Sequence, residues 1–70
     1  MDNEQLKSAL LNKSPVIYKN NDGNESVYKC VSGSRYTEKN GRVVVSAEIT
    51  DINGRSVLIC PPEKIRFKEG

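Results

Sequence analysis

The tripeptide Asn-Gly-Arg occurs twice in this chain, as Asn40-Gly41-Arg42 and as Asn53-Gly54-Arg55. Each copy stands between runs rich in Val, Ile or Thr. Asn-Gly between β-forming runs is the strongest short-range hairpin signal, because both residues tolerate positive φ. The pair therefore predicts one strand over residues 42–52 with a tight turn at each end. Three consecutive antiparallel strands follow from it.

The strand between the turns carries the clearest pattern. Val43, Val45, Ala47 and Ile49 alternate with the polar Ser46, Glu48 and Thr50, which predicts one buried and one wet face; Val44 breaks the alternation. Upstream, Val16-Ile17-Tyr18 reads as a short strand and the run from Asn20 to Asn24 as a polar loop. A second strand starts near Ser26 and reaches Thr37, with Gly33 marking a bulge or bend inside it. Downstream, Ser56 to Cys60 is a fourth strand, stopped by Pro61 and Pro62, which cannot donate to a ladder. Glu63 and Lys64 fit a helical turn, and Ile65-Arg66-Phe67 alternates as a short fifth strand. Residues 68–70 are expected to fray.

Residues 2–13 read as a helix. Asp2 or Asn3 can cap it, and Gln5 stands three after Asp2 as in a capping box. Leu6, Ala9, Leu10 and Lys13 fall on one face. Two readings of this helix stay open: a lid on one end of the strands, or a partner-binding element with Leu11 as a second contact.

Turn chemistry leaves two registers for the hairpin at Asn53-Gly54. A two-residue turn sets Ile49 opposite Leu58 and Ala47 opposite Cys60. A type I turn from Asp51 with Gly54 in a bulge sets Ile49 opposite Val57 and Ala47 opposite Ile59. Asp at the first turn position and the β-branched pair Val57 and Ile59 favour the second.

Bulk composition narrows the function. Seventy residues make a single domain, 1–70, and a chain of that size buries only about 60% of its unfolded surface. Eleven Lys and Arg against nine Asp and Glu leave a net charge of +2, a weak basic bias rather than the footprint of a dedicated nucleic-acid protein. No apolar run approaches a membrane span, and residues 1–13 lack the apolar stretch of a signal peptide, so a cytoplasmic location is expected. There Cys30 and Cys60 are reduced thiols; they match no zinc spacing and lie too far apart in either register to bridge. Histidine is absent, which removes the commonest general base and metal ligand. Glu48 and Asp51 are the nearest approach to a carboxylate pair, and three residues along a strand puts them on opposite faces. No enzymatic activity, cofactor, metal or small-molecule substrate is expected.

One constellation does suggest binding. Tyr18-Lys19, Tyr28-Lys29 and Arg35-Tyr36 interleave aromatics with cations, and Arg42 adds another at a turn. Small barrels bind nucleic acid by stacking bases on strand aromatics while cations follow phosphates. Tyr18, Tyr28, Arg35, Tyr36 and Arg42 are thus the candidate binding residues, with Arg35 and Tyr36 first, since Gly33 bends the strand before them. The competing expectation is an assembly module that engages a protein partner, or itself, through a strand edge or the helix.

The element order predicts a mainly β (α+β) fold: an N-terminal helix followed over residues 15–68 by a small five-stranded antiparallel barrel. The hairpin at Asn53-Gly54, the strand Val57 to Cys60, the Pro61-Pro62-Glu63-Lys64 turn and the closing strand Ile65 to Phe67 resemble the SH3-like barrels. In those a helical turn commonly separates the last two strands. The aromatic cluster that grips Pro-rich peptides in SH3 domains is missing here, with three Tyr and no Trp. A second likeness is closer in wording. Val45-Ser46-Ala47-Glu48, Asp51, Asn53-Gly54-Arg55-Ser56-Val57 and Pro62-Glu63-Lys64-Ile65 resemble short uncharacterised proteins of Gram-positive phages and conjugative elements. This implies an accessory protein of a mobile element and brings no activity with it.

Overall fold

Asp2 starts the helix as the pattern predicts. In the computed structural model, which describes residues 1–68, its Oδ1 accepts the Gln5 N–H at 2.8 Å, and Gln5 Oε1 accepts the Asp2 N–H at 3.0 Å. This reciprocal box satisfies two of the donors that a helix start leaves unpaired. Helix α1 runs Asn3–Asn12 and ends on Lys13 in the left-handed region, φ 52°, whose N–H donates to the Ala9 carbonyl. Leu6 and Ala9 are buried and α1 packs on β3 (Cys30–Lys39). Lys13, expected in the apolar stripe, is the C-cap and is exposed.

Six strands follow, where five are expected. The expected second strand is cut at Lys29 into β2 (Glu25–Tyr28) and β3. The others are β1 (Val16–Lys19), β4 (Arg42–Thr50), β5 (Val57–Cys60) and β6 (Ile65–Phe67), with a 3-10 turn at Pro62–Lys64 before β6. They form two antiparallel three-stranded sheets, β2-β1-β6 and β3-β4-β5, and these do not close into one barrel. The break has a visible cause. The Lys29 N–H is drawn to the Thr50 carbonyl of β4 at 2.9 Å, so the chain leaves β1 there and joins β4. The mainly β fold with one N-terminal helix stands; the five-stranded barrel is corrected to two sheets.

Gly33 marks a bulge, as expected. The β3–β4 register shifts between Val31 and Gly33, from Val31 opposite Ile49 to Gly33 opposite Glu48. A Cβ on Gly33 would lie 3.3 Å from Glu48 Oε2, so the glycine makes room for the carboxylate side chain packed over it.

The two Asn-Gly-Arg copies fold differently. Asn40 (φ 53°) and Gly41 (φ 79°) form a two-residue turn that pairs Lys39 with Arg42. At the second copy only Gly54 has positive φ, 71°. The register is Ile49 opposite Leu58 and Ala47 opposite Cys60, so the favoured bulged register is wrong. The reason is the Asp51 side chain. Its Oδ1 accepts the Arg55 N–H at 2.8 Å and the Ser56 N–H at 3.4 Å, and its Oδ2 accepts the Ser56 hydroxyl at 3.0 Å. Asp51 N–H donates to the Ser56 carbonyl at 3.0 Å, which closes a loop over residues 52–55 with no extra residue. The Gly54 N–H donates to the Asp51 carbonyl at 3.0 Å, so Asp51 does open a turn to Gly54 as expected, and the carboxylate then carries the loop on to Ser56 without the expected shift in register.

The core is small. Leu6, Ala9, Val16, Val31, Ala47, Ile49, Cys60 and Ile65 are buried together, and no polar or charged residue is buried among the described residues. Both thiols are free: Cys30 pairs with Thr50 and Cys60 with Ala47, three positions apart on β4. The expectation of a frayed end falls in part on Glu69 and Gly70, which lie outside the described residues; the Lys68 N–H donates to the Pro15 carbonyl at 3.2 Å.

Candidate functional site

The five residues read from the sequence do not form one site. Tyr18 lies on β1 opposite Ile65, and Tyr28 on β2 opposite Val16, so both face the core. Their rings meet edge to face, centroids 6.1 Å apart and 87° between planes, and both pack half-buried against the core cluster. Only part of each ring is left open to solvent. Arg35 and Tyr36 are neighbours on β3, and alternation sends their side chains to opposite faces of the second sheet. Arg42 opens β4 beside the turn.

Tyr36, Arg35 and Arg42 instead belong to a ribbon. Beyond Ser34 and Ala47, β3 and β4 continue as two strands with no third beside them, since β5 reaches only to Ala47. On one face lie Tyr36 opposite Val45 and Glu38 opposite Val43; on the other lie Arg35 opposite Ser46, Thr37 opposite Val44 and Lys39 opposite Arg42. The first face continues the core face of the sheet and runs past the core. Hence Val43, expected inside, is 70% exposed, and Tyr36 is 65% exposed. The second face gathers Arg35, Lys39 and Arg42 with no carboxylate among these cross-strand pairs. Glu38, on the other face, is occupied by the Gly41 N–H, which its Oε1 accepts at 3.1 Å.

The outer face of the same sheet carries more apolar surface. Val57 and Ile59 stand opposite Thr50 and Glu48 and are about half exposed, and Val44 lies on the same face. Sequence reasoning missed Val57 and Ile59 as surface residues because the register was read one residue out. A one-residue slip turns every side chain of a strand to the other face.

Elsewhere two cations are held by side-chain partners. Arg66 Nη1 meets Glu25 Oε2 at 2.6 Å, joining β6 to β2 across β1, and this bond holds the Glu25 carboxyl below its usual range. Lys64 Nζ donates to Asn21 Oδ1. The Asp51 carboxyl also lies below the usual aspartate range, chiefly through the Arg55 N–H and then through the Ser56 hydroxyl and N–H. Burial pushes the Cys60 thiol up, which opposes thiolate chemistry there. Among the described residues there is no enclosed pocket, and no group of three His, Cys, Asp or Glu side chains that could hold a metal ion. No described helix is long and apolar enough to cross a membrane. The features available for recognition are therefore faces and edges, and the second sheet holds most of them.

No protein-family model, curated protein or solved structure matches this chain.

Proposed function

We propose that this domain is a non-enzymatic assembly module that engages a protein partner through its second sheet, β3-β4-β5. The observation that carries the reading is the apolar surface there. Tyr36 and Val43 extend the core face into solvent, and Val44, Val57 and Ile59 occupy the outer face. Singly scattered apolar residues need no explanation, but exposed apolar residues that neighbour one another on a face, as Tyr36 and Val43 do on one side of this sheet and Val57 and Ile59 on the other, support an interaction surface. Partner contact also supplements a core of eight buried residues among those described. The cut strand, whose halves serve two sheets joined at Lys29, and the 3-10 turn before β6 support the SH3-like reading of the architecture. Work in the cytoplasm as an accessory protein of a phage or conjugative element rests on the likeness of the Val45 to Ile65 segments to such proteins. The test is co-purification from producing cells. Wild type recovers a defined partner; Tyr36→Ser with Val43→Ser loses it while keeping the fold by circular dichroism. Equal recovery by both removes the ribbon from the account.

A second reading has its own observation. Lys39 and Arg42 stand directly opposite each other, with Arg35 on the same face. Like charges in direct cross-strand pairs are destabilising, and an anionic partner would relieve that cost. A two-stranded ribbon also fits the major groove of a duplex. On this reading Arg35, Lys39 and Arg42 contact phosphates, and a mobility shift of duplex DNA or RNA appears at low salt and weakens steeply as salt rises. Absence of any shift at low salt removes it.

A further inference from the structure

The edge of the second sheet is bare in an unusual way. β5 is the end strand of the order β3-β4-β5 and pairs, among the described residues, only with β4. Every other strand carries at least one charged residue, while Val57–Cys60 carries none, nor does the whole stretch from Ser56 to Pro62. Sheet proteins commonly blunt an edge with charge, because an edge is a template for another strand. Here that protection is missing.

The direction of the edge's hydrogen bonds follows from one contact. Asp51 N–H donates to the Ser56 carbonyl, so Asp51 and Ser56 form a hydrogen-bonded pair. Antiparallel ladders alternate, which makes Ile49 with Leu58 and Ala47 with Cys60 hydrogen-bonded pairs, and Thr50 with Val57 and Glu48 with Ile59 non-bonded ones. The N–H and C=O of Val57 and Ile59 therefore point away from β4, toward the open edge. The side chains of the same two residues stand about half exposed on the outer face.

We infer that this edge takes the β5 strand of a second copy of the chain, antiparallel about a twofold axis at Leu58. In that register Val57 of each copy lies opposite Ile59 of the other. Both pairs are hydrogen-bonded pairs, two bonds each, and both set one β-branched side chain against another on the outer face. The edge is thus self-complementary, as a twofold contact requires. A second copy brings its own charges back across the axis, so an uncharged edge is the one that a like-charged copy with net charge +2 can approach. Pro61 has no N–H and ends the pairing, which keeps the contact to a few residues, and the twofold contact uses the β5 edge of both copies and so closes at two. So short an edge gives a weak, concentration-dependent dimer rather than an obligate one.

The inference rests on the second sheet being a docking surface, and the test separates the two. Sedimentation of the full chain over about a hundredfold range of concentration is expected to show a reversible monomer–dimer equilibrium. Val57→Lys and Ile59→Lys abolish it, while Leu11→Lys on the helix leaves it unchanged; circular dichroism checks each fold. Without any substitution, amide exchange at Val57 and Ile59 slows as concentration rises. A wild type that stays monomeric, with exchange at those amides independent of concentration, overturns the pairing. So does a dimer that survives both edge lysines. A monomer whose partner capture still depends on Tyr36 and Val43 removes the pairing alone and leaves the docking surface standing.

Discussion

Asp51 decides more of this structure than any other single polar residue. Its carboxylate receives the Arg55 and Ser56 N–H groups and the Ser56 hydroxyl, and so sets the loop that fixes the β4–β5 register. That register turns Leu58 and Cys60 inward and Val57 and Ile59 outward. The same bonds lower its pKa, the Arg55 N–H first. A group whose folded pKa lies below its unfolded value stabilises the fold above the unfolded value, about 4 for aspartate, and loses that contribution as pH falls through the folded value. Asp51→Asn is expected to lower the melting temperature at neutral pH and to narrow its gap from wild type as pH drops below about 4. A neutral-pH melting temperature equal to wild type would contradict this role. The sequence made Asp51 visible as a turn residue. It did not show that the carboxylate would join the backbone turn and carry the loop on to Ser56, because a bulged and an unbulged loop begin from the same Asp-x-Asn-Gly.

At the level of elements, the strands were legible and their company was not. The capping box at Asp2 and Gln5, the 3-10 turn after Pro61, the bulge at Gly33 and the tight turn at Asn40-Gly41 all appear where local chemistry predicts them. Alternation along β4 also holds, but only where something lies beneath it. Ala47 and Ile49 are buried; Val43 obeys the same period and is exposed, because the ribbon outruns the core. Period alone tells which face a residue shares and not whether that face is covered. Tyr18 and Tyr28 follow the same rule: pairing to Ile65 and Val16 turns them toward the core, where they lie half-buried. The two turns make a matched test of the backbone argument. Open space surrounds Gly41 and Gly54, both at positive φ, so a side chain there meets only backbone strain. Gly41→Val and Gly54→Val should each cost about 1–2 kcal/mol by chemical denaturation. A neutral result at Gly54 would mean that the loop relaxes to another conformation.

At the scale of the molecule, the two sheets differ in what they leave exposed. The first sheet, β2-β1-β6, is tied internally by the Arg66–Glu25 pair and turns its aromatics to the core. The second sheet sends a ribbon beyond the core and ends in an uncharged edge. In a molecule with so few buried residues, apolar side chains left in solvent contribute little to the fold, and truncating them alters stability by no more than about half a kcal/mol. That separation makes the surface testable apart from stability. Site-specific photo-crosslinking in producing cells, with the reactive group placed in turn at Tyr36, Val43, Val44 and Leu11, addresses the docking surface most directly. The account predicts that the ribbon positions trap the same defined protein while Leu11, 81% exposed on the helix, traps none. Crosslinks at Leu11 with none on the ribbon would contradict it and move the docking surface to the helix.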